Sequence, residues 1–251
     1  MIWPTSPLFY SVAILAIVMV GLAKGGFAGL GAAAMPMLAL VMDPLQAAAM
    51  MLPILIAQDV ISVWSFRRDY DAETLWLMIP GGIAGVGLGW FFSASVDADA
   101  VRGLVGGIAV VFGGYRLLQM RGLGLKSSRP LSRWWACFWG GVSGFTSHVA
   151  HAGGPPFQVW ALTRNFPHLI FIGTSSIFFA ALNVIKVPAY FALGQFHRET
   201  LMLTAAFMPL AILSTMAGVK LVRRIDPAKF QTIISVLMIV VGAELLRVAF
   251  T

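Results

Sequence analysis

The most regular feature of the chain is a series of long apolar stretches without Asp, Glu, Lys or Arg. They cover residues 1–23, 25–42, 74–96, 134–163 and 200–219. A helix needs roughly 20 predominantly apolar residues to cross a bilayer. The strands of a membrane barrel instead alternate over about ten residues, and such alternating blocks are missing from this sequence. The pattern therefore predicts an all-α polytopic membrane protein.

Two of the apolar stretches are interrupted by glycine and proline. The first interruption, "AKGGFAGLGAAAMP", covers 23–36, and the second, "GFTSHVAHAGGPP", covers 144–156 and holds two histidines. Irregular backbone persists at membrane depth only where protein or a water-filled cavity surrounds it. Helices that end there would direct free N–H groups and a positive dipole end inward, which suits an anion.

The order of segments repeats along the chain. Each half has one interrupted stretch followed by three helices, predicted at about 45–65, 74–95 and 100–119 and at about 168–190, 199–220 and 228–248. Matching positions include Glu73-Thr74-Leu75 with Glu199-Thr200-Leu201, Val96-Asp97 with Ile225-Asp226, and Asp59 with Asn183. The predicted domains are a first transmembrane repeat over 1–125, a cytoplasmic linker over 126–133 and a second transmembrane repeat over 134–251.

The positive residues choose between two topologies, because Lys and Arg in short loops stay cytoplasmic. If each interrupted stretch crosses once, they split nine to six between the faces, which carries no signal. If each returns to its own side as a broken hairpin, one face holds only Arg102, Arg198 and Arg247. The other face then holds twelve, namely Arg67, Arg68, Arg116, Arg121, Lys126, Arg129, Arg133, Arg164, Lys220, Arg223, Arg224 and Lys229.

The second topology makes the two halves run in opposite directions, as in the inverted repeats of many secondary transporters. Both termini are then predicted on the periplasmic or extracellular side of the cell inner membrane. Thirty uncharged residues suit two half-length helices in the second hairpin, since two full crossings need about 40. The first interrupted stretch is either re-entrant or two full spans with Lys24 at the turn.

Composition agrees with a membrane protein and limits its partners. The chain is 59% hydrophobic and 11% charged, with a mean hydropathy of +0.86, whereas about a quarter of a soluble domain is charged. The net charge of +7 is attributed to cytoplasmic loops, and nothing indicates nucleic-acid binding. The expected partners are the lipid bilayer and a small anionic substrate. A homodimer is left open, and no cofactor is expected.

The motifs taken together resemble the TauE/SafE family, the sulfite-exporter-like membrane permeases. The resemblance covers nearly the whole chain and rests on "GLAKGGFAGLGAAAMP", "GGVSGFTSHVAHAGGPP" and "FIGTSSIFFAALNVIKVPAYFALGQF". It implies a transporter, often an exporter, of sulfur-containing anions such as sulfite, thiosulfate or organosulfonates like sulfoacetate. The first-half loop departs from the family in having Ala32-Ala33-Ala34 where many relatives are richer in glycine.

Charged residues inside apolar segments are the strongest site candidates. Lys24 adjoins the first interruption, and Lys186 follows Asn183 by one helical turn. A cation at bilayer depth costs about 2.5–3.5 kcal/mol, so it normally faces a cavity or a partner, although either lysine could instead reach the interface. Asp59 is predicted to couple transport to protons, with a fixed structural ion pair as the alternative.

The remaining predicted substrate-binding residues surround the interruptions or face them from the helices. They are Gly25, Gly26, Gln58, Thr146, Ser147, His148, His151, Gly153, Gly154 and Ser175. The two histidines, three apart, would share a face of a helix and could donate to an oxyanion or titrate; hydrogen bonding to loop carbonyls is the alternative. No metal site is expected, since no Cys, Asp or Glu joins them locally.

Two other functions compete with a carrier. An anion channel of the same architecture would need the same positive pore. An intramembrane serine protease would use Ser143 of "GVSGF" as its nucleophile, and it would require a general base within hydrogen-bond reach of that hydroxyl. The prediction is that the chain is not an enzyme and has no catalytic residues.

Overall fold

The computed structural model describes residues 6–27, 29–123, 132–222 and 228–251. Within these ranges the regular structure is helical, with no strand. The helices are α1 (Pro7–Lys24), α2 (Ala34–Ala39), α3 (Pro44–Phe66), α4 (Ala72–Ser95), α5 (Ala98–Met120), α6 (Arg133–Ala150), α7 (Gly154–Ala161), α8 (His168–Ala192), α9 (Arg198–Leu221) and α10 (Ala228–Phe250). Seven helices of the described chain are long and apolar enough to cross a membrane, namely α1, α3, α4, α5, α8, α9 and α10.

The six uninterrupted helices predicted from the sequence are confirmed, with ends within two residues of those expected. The starts of three of them are fixed locally, because an aspartate before the helix accepts a hydrogen bond from a first-turn N–H group. Asp43, Asp71 and Asp97 cap α3, α4 and α5 in this way, over 2.8–3.0 Å. Local signals of this kind explain why the helix boundaries were readable.

Each interrupted stretch is a long helix followed by a short return. After α1, Gly26 and Gly29 adopt positive φ angles of 126° and 98°, which glycine tolerates best, and a 3₁₀ turn over Leu30–Ala33 then runs into α2. After α6, His151 takes the left-handed conformation (φ 47°) and α7 starts at Gly154. The first stretch is therefore one full-length helix with a short return, rather than two full spans.

The expectation of two half-length helices in the second stretch is wrong. The two helices, α6 and α7, have 18 and 8 residues. At 1.5 Å per residue, α6 alone is about 27 Å long, close to the thickness of the hydrocarbon core. The helix continues this far because its hydrogen bonding is undisturbed until His151 turns the chain.

The second stretch leaves and returns at one end of the helix bundle. Arg133 at the start of α6 and Arg164 after α7 both approach the carboxylate of Glu73, with N–O distances of 3.6 and 3.1 Å. We call this the basic end, defined by Arg67, Arg133 and Arg164. In the first half, Gly21 and Gly25 lie against residues 214 and 218 of α9, so α1 runs parallel to α9, and α3 starts at Pro44, directly after the stretch, and runs to the basic end. That stretch therefore begins and ends at the opposite end of the bundle.

The packing between long helices depends on glycine. A Cβ atom on Gly85 of α4 would lie 2.8 Å from the backbone N of Phe145 in α6, and one on Gly25, the residue after α1, would lie 2.5 Å from backbone atoms of Gly218 in α9. Such small-residue faces let helix backbones approach closely in lipid. They bring the first helix of each half against a helix of the other half.

Part of the predicted organisation lies outside the described residues. This applies to most of the predicted linker over 126–133 and to the loop with Arg223 and Arg224. The division into domains 1–125 and 134–251 stays a prediction.

Candidate functional site

A cavity of about 130 Å³ lies where the two interrupted stretches meet. This is roughly ten times the 10–15 Å³ that one water molecule requires, so the space is large enough for a small polyatomic solute. Both stretches contribute to the wall: Gly26, Gly29 and Ala32 from the first, and Ser147, His151 and Gly154 from the second. The breaks in the helices therefore form the cavity directly.

A polar network beside the cavity joins the two halves. Lys24 forms an ion pair with Asp59 Oδ1, and Asn183 Nδ2 donates to Asp59 Oδ2 over 2.6 Å. The Oδ1 atom of the same Asn183 accepts from Lys186 Nζ over 2.8 Å. Asp59 is only 3% exposed and is the only buried carboxylate among the residues that the structure describes. One acid thus lies between two lysines.

Lys186 is fully buried and makes three hydrogen-bond contacts. Its Nζ lies 2.8 Å from Asn183 Oδ1, 2.8 Å from the carbonyl of Ser147 and 3.2 Å from His151 Nδ1. His151 Nε2 lies 2.9 Å from the carbonyl of Ala48. A carbonyl can only accept, so Nε2 carries a hydrogen and Nδ1 is left to accept. Three acceptors match the three N–H groups of an ammonium ion.

The charges around the cavity do not cancel when both lysines are protonated. Lys24 is balanced by Asp59, but no carboxylate lies within ion-pair distance of Lys186 among the described residues. An uncompensated charge in the membrane interior is costly and is normally relieved by a partner or a ligand. The chemistry of the site thus favours a negatively charged solute.

The rest of the wall is mainly apolar and aromatic. Lys24 Nζ lies 5.5 Å from the ring centroid of Phe179, within the range of a cation–π contact, and Met51 and Phe171 also line the cavity. The side chain of Gln158, which our sequence analysis missed, lines it as well. Its signal was its position in α7, one helical turn after Gly154, in an otherwise apolar segment.

The structure brings seven of the thirteen predicted substrate-binding residues to the cavity wall. These seven are Lys24, Gly26, Ser147, His151, Gly154, Ser175 and Asn183. The other six, Gly25, Gln58, Thr146, His148, Gly153 and Lys186, lie outside the lining. Lys186 is nevertheless connected to the wall, because its three partners, Ser147, His151 and Asn183, all line the cavity.

Two polar side chains that do not reach the cavity, Thr146 and Gln58, bond to carbonyl groups of helices. The Thr146 hydroxyl donates to the carbonyl of Val142 over 2.9 Å, a contact that hydroxyls commonly make inside helices. Gln58 Nε2 lies 3.5 Å from the carbonyl of Ala211. Gly25 packs against Gly218 of α9. In this conformation these three residues serve helix packing.

The two predicted histidines do not share a helical face, because α6 ends at Ala150 and His151 lies beyond it. They instead contact the same aromatic ring: His148 and His151 have centroids 5.0 and 6.3 Å from that of Tyr190. Both ring nitrogens of the buried His148 lack a hydrogen-bond partner within the described structure. Only His151 reaches the cavity and the lysine network.

The backbone at the start of α7 offers few donors to a solute. Pro155 and Pro156 carry no N–H group, and the N–H of Phe157 bonds to the carbonyl of Gly153 over 3.2 Å. The sequence interpretation gave backbone amides the main role at this point. In the structure, positively charged side chains lie near the cavity instead: Lys24 lines it, Lys186 contacts three wall residues, and the guanidinium of Arg116 lies close to Gly29 of the wall.

Ser143 has a structural contact in place of a general base. Its buried hydroxyl donates to the carbonyl of Gly153 over 2.7 Å and so closes the loop between α6 and α7. No histidine shares a hydrogen bond with it in the described part of the chain. Among the same residues, no three His, Cys, Asp or Glu side chains are grouped to hold a metal ion.

Comparison with known protein families finds a match over most of the chain. The family model described as Sulfite exporter TauE/SafE matches residues 13–245. No curated protein and no solved structure matches the chain significantly. The matched range contains both interrupted stretches, the cavity and both lysines. The chain therefore belongs to the TauE/SafE sulfite exporter family.

Proposed function

We propose that this multi-pass membrane protein is a secondary transporter that exports small sulfur-containing anions, such as sulfite or organosulfonates like sulfoacetate. One observation carries the proposal: two lysines, of which only Lys24 pairs with a buried carboxylate, lie beside a cavity formed by two broken helices. In a medium of low dielectric constant, the excess positive charge attracts an anion more strongly than it would in water. Family membership supports the sulfur chemistry of the substrate.

The proposed architecture is an inverted repeat that operates by alternating access around the cavity. Support comes from packing relationships that recur when the halves are exchanged: α1 packs on α9 as α6 packs on α4, and α3 packs on α9 as α8 packs on α4. Hydrogen bonds recur too. Ser62 donates to the carbonyl of Lys24 over 2.8 Å, and Lys186 donates to that of Ser147 over the same distance. Rocking of two such halves would expose a central site to each side in turn.

We further propose that the basic end is cytoplasmic, so that both termini face the periplasm, and that the cavity here faces inward. Gly26 and Ile172 of the cavity wall lie beside Val222, near the basic end. Toward the opposite end, apolar side chains including Phe9, Met50 and Tyr190 form a continuous cluster. Outward opening would require this cluster to separate.

The decisive experiment is binding of purified protein to sulfite, thiosulfate, sulfoacetate, sulfate and acetate. The wild type is expected to prefer at least one of the first three over acetate. Lys24→Ala should weaken that binding roughly 10- to 100-fold, the loss expected from about 1.4–2.8 kcal/mol. Lys220→Ala is the matched control, because Lys220 is exposed in the last turn of α9 and should leave affinity unchanged.

Failure of every sulfur anion to bind in preference to acetate would contradict the substrate class. Flux into liposomes then separates a carrier from an anion channel with the same cavity. A carrier saturates with substrate concentration and responds to an imposed proton gradient, whereas non-saturating flux would identify a channel. The proposal that the chain is not a protease rests on the contacts of Ser143 and is tested separately below.

A further inference from the structure

The contact between Lys186 and His151 places two buried nitrogen bases 3.2 Å apart. Lys186 is 0% exposed, and the neighbouring carboxylate of Asp59 already accepts from Lys24 and Asn183. With His151 Nε2 donating to the carbonyl of Ala48, the space between Lys186 Nζ and His151 Nδ1 holds one proton. Either base can carry that proton while the other accepts it.

The charge of this proton has no carboxylate of its own within the described residues. Burial of an uncompensated charge costs several kcal/mol in a real protein. With the cavity empty, the protonated pair has no counter-ion among the described residues. An anion in the cavity would supply the missing negative charge and stabilise the protonated pair, because opposite charges favour each other's presence.

We infer that the Lys186–His151 contact is a proton-binding site whose occupancy is linked to that of the cavity, so that anion and proton bind together. The inference rests on the proposed function, since it requires an anion site. Ser147, His151 and Asn183 connect the two sites, because each lines the cavity and contacts Lys186. The coupling proton then resides on this pair, whereas the sequence analysis predicted Asp59 for that role.

The other charged and titratable groups near the pair are not hydrogen-bonded to it within the described structure. The pair is therefore the site of proton exchange. From α1, Lys24 adds positive charge, and from α3, Asp59 adds the negative charge that Lys24 balances. From α6, His148 is buried against Tyr190 of α8, whose hydroxyl donates to the His148 carbonyl over 2.7 Å. The one charged side chain of α4, Glu73, is exposed at the basic end with Arg164, and α7 has no titratable side chain.

The test is calorimetric titration of the full-length protein with thiosulfate and, separately, sulfoacetate, in pairs of buffers with different enthalpies of ionisation. Neither anion changes its own protonation between about pH 6 and about pH 9, the range in which a histidine–lysine pair can titrate. The expected result is uptake of close to one proton per anion. Above the pH at which the empty pair loses its proton, anion affinity should fall about tenfold per pH unit.

The outcomes separate this inference from the proposed function. Binding of either anion without proton uptake overturns the inference and leaves the proposed function standing. If neither anion binds, the anion site itself is absent, and the proposed function fails together with the inference. The measurement on the wild type is decisive without any variant.

Variants then locate the proton. Lys186→Met should abolish proton uptake and leave weaker, pH-independent anion binding, whereas Lys220→Met, at the exposed end of α9, should keep both the uptake and the pH dependence. Uptake that persists in Lys186→Met would return the coupling role to Asp59 and overturn the inference.

If Lys186→Met does not fold, His151→Gln serves instead, since glutamine can still donate to Ala48 and accept from Lys186. Its pH midpoint should shift, and an unchanged midpoint would exclude a shared proton.

Discussion

Asn183 donates a hydrogen bond to Asp59 over 2.6 Å, and these are residues that the comparison of the two halves aligns. The two side chains have nearly the same shape and differ mainly in charge. Because Asp59 is the acid, it pairs with Lys24; because Asn183 is neutral, its free oxygen accepts from Lys186 without cancelling that charge. When both lysines are protonated, the difference of one carboxylate oxygen leaves the centre of the bundle with one more cation than anion.

The charge of the site can be neutralised with a single change, Asn183→Asp. One oxygen of the new carboxylate would face Lys186 and the other would face Asp59 Oδ2, where two carboxylates repel each other unless one keeps a proton. At a pH high enough to ionise both acids the excess positive charge is removed, so anion affinity should fall roughly 10- to 100-fold, as expected for charges several ångströms apart at an effective dielectric constant of about 20. Equilibrium binding of thiosulfate measures the effect. Asn165→Asp makes the same chemical change at an exposed loop position and should have no effect. Unchanged affinity in Asn183→Asp would show that net charge does not govern binding.

The helices were predictable from sequence because their signals are local. Apolar runs set their length, and Asp43, Asp71 and Asp97 mark three of the starts. The network was only partly predictable. The sequence identified Lys24, Asp59, Asn183 and Lys186 by the cost of placing them in a membrane, but which lysine pairs with Asp59 depends on the positions of α1 and α8 in space.

The roles of the small and aromatic residues were less predictable. A glycine next to a break looks the same in sequence whether it lines a cavity, as Gly26 does, or packs against another helix, as Gly25 does. The same holds for Gln158, whose exposure to the cavity depends on the angle at which α7 leaves the break. These distinctions are set by tertiary packing and leave no periodic pattern.

The hydroxyl of Ser143 closes the loop between α6 and α7 through its bond to the Gly153 carbonyl. Ser143→Ala should therefore cost about 0.5–1.5 kcal/mol of stability, because the Gly153 carbonyl loses one of its two donors and keeps the N–H of Phe157, and should reduce transport without abolishing it. Thermal unfolding in detergent and liposome flux measure the two effects. An intramembrane protease would instead lose all activity with stability unchanged, and that result would contradict the proposed function.

The close packing of α4 on α6 predicts a sharp difference between two glycines of the same helix. A side chain on Gly85 would collide with the backbone of Gly141 and Phe145, whereas nothing lies within 4 Å of a Cβ on Gly87. Gly85→Val should lower the unfolding free energy by about 1–3 kcal/mol or more, and Gly87→Val should stay within about 0.5 kcal/mol of the wild type. Equal effects of the two substitutions would contradict the α4–α6 contact.

The orientation of the bundle can be tested by labelling single cysteines with a membrane-impermeant maleimide, in a Cys137→Ala background because Cys137 is exposed. Arg68 and Lys220 are exposed positions at the basic end of α3 and α9, and Arg198 is exposed at the opposite end of α9. Because positive residues are retained in the cytoplasm, Arg68→Cys and Lys220→Cys should react only after the membrane is disrupted, and Arg198→Cys should react in intact spheroplasts. If all three variants react in the reverse pattern, the basic end faces the periplasm and the cavity opens outward, which contradicts the proposed orientation. If Arg68→Cys and Lys220→Cys are labelled from different sides, the two positions do not lie at one end of the bundle. That result would contradict the two returning hairpins that form the cavity.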